Sequence, residues 1–185
     1  MAKLLDDGNS ASRGTGARYL AGSLSKSSDL GSLKGIVKMK LNRINMTSDT
    51  SRGMSALYAH GTPAVFADAV RVDLAECSLL YISGKTPIDE NHELVGVDMA
   101  QQTEQVLENI KRVLDHEGGT FDDIVRVRVF ATQIDQKSLH DIHEVRSRYF
   151  SNGHYPASTL VQITALVREG GLIEIEADAV LKKRS

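Results

Sequence analysis

The segment that most constrains the fold lies near the C-terminus, from Leu172 to Val180, where apolar and acidic side chains alternate. Every second residue is Ile or Ala, and the residues between them include Glu174, Glu176 and Asp178. Such alternation is typical of a β-strand with one buried face. Three acids on the other face repel one another and gain nothing from a core. We therefore expect that face to meet solvent, a cavity or a partner surface, and to carry a functional site.

The residues before this strand predict a β-hairpin. A turn at Tyr155 and Pro156 opens a first alternating run, and Gly170 and Gly171 reverse the chain before the second run begins. Two alternating runs joined by glycines favour antiparallel pairing of the two strands.

Three more strands and two helices are predicted upstream. Asp98 is the expected N-cap of the first helix, and Gly118 and Gly119 end it. The order β-β-α-β-α-β-β predicts an α+β fold, a sheet with two helices on one face. The predicted strands are Val65–Asp73, Ser78–Gly84 and Asp122–Gln133, and the predicted helices are Asp98–His116 and Lys137–Phe150.

The sheet face without helices is too polar for a simple core. Arg126 and Arg128 are expected there, forming ion pairs with the acidic row within the chain or between subunits. Sheets with one polar face that no helix covers commonly assemble into closed oligomers, with ligand clefts between the subunits. The alternation in this strand places Val125, Val127 and Val129 on one face and Arg126, Arg128 and Phe130 on the other.

Charge and cysteine content limit the class of protein. The 185 residues have a formal net charge of −2, but residues 51–185 hold fourteen Lys/Arg and twenty Asp/Glu. This acidic part argues against a nucleic-acid or anionic-membrane surface. A single cysteine, Cys77, excludes an internal disulfide framework and fits a reducing compartment. No apolar run reaches the roughly eighteen residues of a membrane span, so a cytoplasmic location is expected.

The N-terminal part differs in composition from the rest. Residues 1–52 are rich in Ser and Gly, contain no Glu, and predict a flexible extension preceding a domain at residues 53–185. Leu33–Leu41 could form a short strand or a helical turn. The extension is interpreted as a poorly ordered segment, with Met46 or Met54 as alternative starts, and otherwise as a basic interaction or targeting arm.

Four phrases of the sequence resemble the RidA family, also called YjgF and endoribonuclease L-PSP. Together they place the resemblance at about residues 63–182. It implies a chorismate-mutase-like α+β fold, a barrel-like homotrimer with three small-molecule clefts between subunits, and hydrolysis of enamine or imine acids such as 2-aminoacrylate to 2-oxo acids and ammonia. The phrases are YISGKTP at Tyr81–Pro87, the helix and strand at Gln101–Phe130, YFSNGHYPAST at Tyr149–Thr159, and IEIEADAV at Ile173–Val180.

The resemblance also implies roles for individual residues. Glu174 matches the acid that orients or activates water, and His143 lies at a second-helix position where it could assist as a general base. Ser83 and Gly84 match a turn whose backbone amides hold the substrate. Phe66 replaces a site tyrosine and retains only its ring.

The residue at the family's carboxylate-binding position differs in this chain. The family's deaminases carry a carboxylate-clamping arginine where this chain has Ser158, and a frequent cysteine is Leu160 here. A serine offers one neutral donor in place of a bidentate cation. Lys85, Arg126 or Arg128 could supply the missing charge instead.

The sequence therefore predicts a divergent deaminase or hydrolase acting on a small enamine, imine or related acid such as 2-aminomuconate. The alternative is a non-catalytic metabolite-binding or chaperone-like trimer, and an RNA-binding endoribonuclease is less favoured because the acidic part has few aromatic residues. No cofactor is required, because an iminium carbon is already electrophilic. His140 and His143 are spaced i,i+3, but without a third ligand they indicate a solvated face and no metal site.

Overall fold

The structure, a computed structural model, describes residues 39–46, 66–151 and 153–183. The flexible tail predicted within residues 1–52 lies largely outside these ranges. The described residues confirm the predicted α+β class, with six strands in one sheet and two α-helices. The strands are β1 (Lys40–Ile44), β2 (Ala69–Asp73), β3 (Cys77–Lys85), β4 (Ile124–Ala131), β5 (Ala157–Gln162) and β6 (Ile173–Lys182), and the helices are α1 (Met99–Glu117) and α2 (Gln136–Tyr149).

The strand order across the sheet is β1-β2-β3-β6-β4-β5. Strand β6 occupies an inner position and pairs antiparallel with both β3 and β4. Strands β1, β2 and β3 continue the antiparallel pairing on one side, while β4 and β5 pair in parallel on the other. Strand β6, which carries the three acids, is therefore the strand on which the two halves of the sheet meet.

The predicted hairpin is wrong. Both edges of β6 are occupied by β3 and β4, so β5 pairs with β4 instead, from Arg126↔Ala157 to Ala131↔Gln162. The physical reason lies in the connection through α2, because a strand-helix-strand crossover returns the chain parallel to the first strand. Gly170 does turn the chain with a φ of 77°, but within a longer loop between β5 and β6.

Strand β1 lies N-terminal to the domain boundary predicted at residue 53. It pairs antiparallel with β2 over five residues, from Lys40↔Asp73 to Ile44↔Ala69. A side-chain hydrogen bond from Asn42 Nδ2 to Asp73 Oδ2 (2.9 Å) crosses the same pair. The sheet therefore includes residues that the sequence assigned to the extension.

The core lies between the sheet and the helices. The alternation in β6 is as predicted, with Ile173, Ile175, Ala177 and Ala179 buried against the helices. Helix α1 begins at the predicted N-cap, where Asp98 Oδ1 accepts a hydrogen bond from Gln101 N (2.9 Å). It ends at a left-handed Gly118, φ 77°. Within the described residues, no helix is long and apolar enough to cross a membrane.

One residue of β4 departs from the predicted alternation. Ile124 pairs with Ala179 and Arg126 with Asp178, so Val125 is an extra residue in a β-bulge. Its side chain is 50% exposed and does not join the core, whereas Val127 and Val129 are buried as predicted. The bulge thus corrects the face assigned to Val125.

A buried amide connects α1 to the loop that precedes β6. Gln102 is 1% exposed. Its Nε2 donates to the carbonyl oxygens of Gly96 (3.1 Å) and Gly170 (3.0 Å), and its Oε1 accepts from the backbone N–H of Leu172 (2.7 Å). Because these contacts are made immediately before β6 begins, Gln102 fixes where the central polar strand enters the sheet.

Replacing Gln102 with methionine, which has a similar volume, should destabilise the protein by about 2–4 kcal/mol, because three backbone groups lose their partner. Urea unfolding measures the change. The exposed Gln136→Met is the control and should alter the free energy of unfolding by less than about 0.5 kcal/mol. Equal effects of the two substitutions would show that Gln102 does not hold the loop.

Candidate functional site

Two of the three acids on the polar face of β6 are neutralised within the chain. Arg128 of β4 donates from Nη1 to Glu176 (3.1 Å) and from Nη2 to Asp178 (3.0 Å). This confirms the predicted ion pairs between Arg128 and the acidic row. Arg126 is exposed and has no ion pair among the described residues. The acidic row is therefore split into a bound pair and a third member.

The third acid, Glu174, has no hydrogen-bonding or ionic partner among the described residues. It is half-buried and lies opposite Phe130 of β4. Burial raises the pKa of its carboxyl, and the neighbouring charge of Glu176 raises it further. A carboxyl group that holds its proton more tightly than usual is suited to exchange protons with a bound molecule.

The Glu174 carboxyl packs directly on the backbone of Gly84 in β3. A Cβ atom at residue 84 would lie only 1.9 Å from Glu174 Oε1, so no larger residue fits there without moving the carboxyl. The pairing of β3 with β6 is irregular at this point, shifting between Ile82 and Lys85. Ser83 and Gly84 therefore lie within strand β3, not in the turn that the sequence predicted, and the irregular pairing accompanies the contact of Gly84 with the acid.

Ser83 connects this part of β3 to the residues just before β2. Its Oγ donates to the carbonyl oxygen of Ala67 (2.6 Å), and its backbone N–H donates to that of Asp68 (3.0 Å). Phe66, which is 49% exposed, precedes Ala67 in the chain. Three chain segments, carrying Phe66, Ser83–Gly84 and Glu174, therefore converge at one place on the sheet.

Lys85 adjoins this group, but its charge is already neutralised. Its Nζ lies 2.5 Å from Asp68 Oδ1, and its side chain is only 12% exposed. Burial alone raises the pKa of Asp68, but the charge and hydrogen bond of Lys85 outweigh burial and lower it. Lys85 and Arg128, both considered from the sequence as substitutes for the missing arginine, are thus engaged with acids of the chain.

Ser158 and Leu160 occupy a different part of the molecule. They lie on the edge strand β5, in register with the buried Val127 and Val129 of β4. Paired residues on neighbouring strands share a face, so these two side chains lie on the helix-covered side, whereas Glu174 lies on the other. A single chain therefore does not bring Ser158 and Leu160 together with Glu174.

The side chain that contacts Ser158 is Arg146 of α2, which the sequence analysis missed. Arg146 Nη2 donates to Ser158 Oγ (3.1 Å), and the guanidinium carbon lies 5.7 Å from the centroid of the Phe150 ring. Arg146 is only 9% exposed. The signal was a charged residue within the apolar stripe of α2, four residues after Ile142 and one after Val145.

His143 lies on the exposed side of α2. The helix packs on the face of the sheet opposite Glu174, so the structure does not bring this predicted pair together within one chain. Among the described residues, no cluster of three or more His, Cys, Asp or Glu side chains is arranged to hold a metal ion. The His140–His143 pair thus has no third ligand there.

Two surface clefts lie away from the predicted residues. One, of about 600 Å³, is lined by residues including Arg71, Asp73 and Glu117, and Arg71 is paired with Glu117 (2.6 Å) and Asp73 (3.0 Å). The other, of about 340 Å³, lies along the loop at residues 164–171 and includes Thr132. Neither contains a residue that the sequence assigned to the site.

Glu174→Gln should raise the melting temperature at about pH 8, because the folded state disfavours the ionised carboxyl. Stability from a carboxyl with a raised pKa is complete below its unfolded pKa and is lost as pH rises through the folded value. The advantage of the variant should therefore shrink as pH falls to about 4. Melting curves across this pH range test the prediction, with the exposed Glu90→Gln as the control. A difference in melting temperature between Glu174→Gln and wild type that does not change with pH would contradict it.

Comparison with known proteins gives the family. Residues 61–181 match the family described as endoribonuclease L-PSP. Protein DfrA from Myxococcus xanthus is 39% identical over 116 residues, which cover 62% of this chain and 84% of DfrA. The 3-aminoacrylate deaminase RutC from Acinetobacter baylyi is 38% identical over 120 residues, which cover 64% of this chain and 91% of RutC.

A solved structure agrees with both the fold and the family. RidA from the Antarctic bacterium Psychrobacter sp. is 34% identical and superposes with a TM-score of 0.54, covering 65% of this chain and 91% of the RidA chain. The residues that match the endoribonuclease L-PSP family run to Leu181 of β6. They include both helices and every strand of the sheet except β1. The chain belongs to the RidA family, described also as the endoribonuclease L-PSP family.

Proposed function

We propose that this protein is a deaminase that hydrolyses a small enamine or imine acid and releases ammonia. The observation that carries the proposal is Glu174, a half-buried acid with a raised pKa and no partner among the described residues. The two other acids of its row are bound by Arg128, so only Glu174 is free to act on a ligand. The similarity of the chain to a protein named 3-aminoacrylate deaminase supports the same class of reaction.

The chemistry needs little beyond a water molecule and a proton carrier. Glu174 donates its proton to the enamine carbon, which gives an iminium, and water adds to the C=N carbon. Glu174 accepts the proton of the attacking water and passes it to the nitrogen. The hydroxyl of the resulting carbinolamine then gives its proton to Glu174 as the C–N bond breaks, leaving an oxo acid and ammonia, with Glu174 protonated as at the start. The backbone of Gly84, which lies against Glu174, would help to position the substrate.

The proposed site is a cleft shared between copies of the chain. Glu174 lies on the open face of the sheet, whereas Ser158 and Leu160 lie at its edge on the helix-covered side. One compact substrate reaches both sets only if the edge of one copy adjoins the open face of another. A closed homotrimer provides three such seams. Exposed apolar residues near these surfaces, Phe66, Tyr81 and Val161, support an interface there.

The acidic row also weighs against an RNA substrate. Glu174, Glu176 and Asp178 line the open face, where a nucleic acid would require net positive charge. A metabolite-binding trimer without catalysis would keep the same cleft but show no turnover.

Ammonia release from 3-aminoacrylate and 2-aminoacrylate, each generated enzymatically in the assay, tests the deaminase. The wild type should turn over at least one of them, and Glu174→Gln should reduce kcat by about 100-fold or more, because the proton carrier is lost. Glu90→Gln, an exposed acid with an ion pair to Arg112 (2.7 Å), is the matched control and should retain activity. No turnover by wild type, with ligand binding retained, would favour the metabolite-binding trimer.

Co-expression of two inactive variants tests the shared cleft. Glu174→Gln removes the acid, and Ser158→Trp fills the edge, so each should be inactive alone. If one site takes residues from two copies, random mixing leaves about a quarter of the sites intact and restores activity in that proportion. Light scattering establishes that both variants keep the wild-type assembly. No recovery in mixed assemblies would place the whole site within one chain.

A further inference from the structure

Arg146 is a buried charge that has no acid beside it among the described residues. Other half-buried cations of the described residues have acids beside them, such as Arg71 with Glu117 (2.6 Å) and Lys85 with Asp68 (2.5 Å). Arg146 is 9% exposed, yet its only polar partner among the described residues is the Ser158 hydroxyl, at 3.1 Å. A neutral hydroxyl does not compensate the desolvation of a guanidinium.

The arginine is nevertheless held in a fixed orientation. The Phe150 ring, itself 4% exposed, lies beside the guanidinium with its centroid 5.7 Å from Cζ. Nη2 is oriented toward β5 by its hydrogen bond to Ser158. Burial without a neighbouring acid lowers the pKa of Arg146, which agrees with a charge lacking its partner. A guanidinium has five N–H donors, so most remain available to a further acceptor.

The contact opens to solvent at the edge of the sheet. Ser158 is exposed on the edge strand β5, so the hydroxyl lies at the surface with the guanidinium recessed behind it. A planar fork of N–H donors next to a hydroxyl matches the two oxygens of a carboxylate. A recessed charge is accessible to a compact ligand, whereas an acid on a folded partner would have to insert its side chain.

We propose that Arg146, together with the Ser158 hydroxyl, binds the carboxylate of the small-molecule ligand. The inference rests on the proposed function for the class of ligand, a small oxo, enamine or imine acid. Helix α2 then supplies the cation that Ser158 does not, and Lys85 and Arg128 keep their structural ion pairs. Arg146 becomes the residue that selects acids over uncharged analogues.

Calorimetric titration of the full chain with pyruvate, an oxo acid of the expected product class, tests the assignment. Wild type should bind pyruvate but not pyruvamide, which has the same shape without the charge. Arg146→Gln should weaken pyruvate binding by about 10- to 100-fold. Arg148→Gln removes an exposed arginine of the same helix, paired with Glu144 (2.7 Å), and should leave binding unchanged. Absence of pyruvate binding by wild type, or equal binding by Arg146→Gln, overturns the proposal.

A substitution at the exposed Ser158 covers the case in which Arg146→Gln does not fold. Ser158→Asp places a carboxylate of the chain beside the guanidinium, so it should raise the melting temperature and abolish pyruvate binding. Ser158→Asn, which is neutral and has the size of Asp, should not raise the melting temperature. The increase should vanish when Ser158→Asp is combined with Arg146→Gln. If Ser158→Asp leaves the melting temperature unchanged or lowers it, Arg146 does not lack a counter-charge and the proposal is contradicted.

The two proposals fail separately. Binding of pyruvate that depends on Arg146, without ammonia release from either aminoacrylate, removes the deaminase and leaves the carboxylate site standing. Ammonia release that Arg146→Gln does not affect, with pyruvate binding equally unaffected, leaves the deaminase and removes the carboxylate site. Should Arg146→Gln instead break the assembly seen by light scattering without weakening pyruvate binding, the missing counter-charge is an acid of a second copy and the proposal is wrong.

Discussion

The ion pairs of Arg128 with Glu176 and Asp178 determine which acid on the polar face of the sheet remains available to a ligand. Three acids along one strand repel one another, and a single guanidinium on the neighbouring strand can hold two of them. Because those two are fixed, the strand can be half-buried without a large electrostatic cost. The same arrangement leaves Glu174 as the one acid of the row without a cation among the described residues. The structural role of Glu176 and Asp178 is thus separate from the catalytic role proposed for Glu174.

The elements of the fold could be predicted from the sequence where the signal was local. Alternation identified β6, and Asp98 and Gly118 marked the ends of α1 because capping chemistry acts within one turn of the helix. Strand pairing was not local. Alternation in β5 shows that the segment is a strand, but its partner depends on which edge is free, and β6 has none. The predicted hairpin failed for that reason.

Some residues of the candidate site could likewise be predicted from the sequence, and one could not. The resemblance pointed to Ser83, Gly84 and Glu174, and the structure places Gly84 directly against the Glu174 carboxyl. Arg146 could not be found from the motif, since its position lies on a helix twelve residues before Ser158 in the sequence. Its role depends on the packing of α2 against the edge strand. A charged residue in an apolar stripe was the visible sign, but that pattern alone does not say which strand the charge meets.

Glu174 and Arg146 are charges of opposite sign that have no ionic partner in the described part of the chain, and one chain keeps them apart. The sheet lies between them, so they cannot neutralise each other within a protomer, and each is disfavoured by its own burial. An imino or amino acid carries both complementary charges, a carboxylate for Arg146 and a nitrogen able to become cationic for Glu174. In the proposed shared cleft, such a ligand would neutralise both residues at once. A simple acid such as pyruvate would neutralise Arg146 alone, and a simple amine Glu174 alone, so a ligand with both groups would be bound more tightly than either.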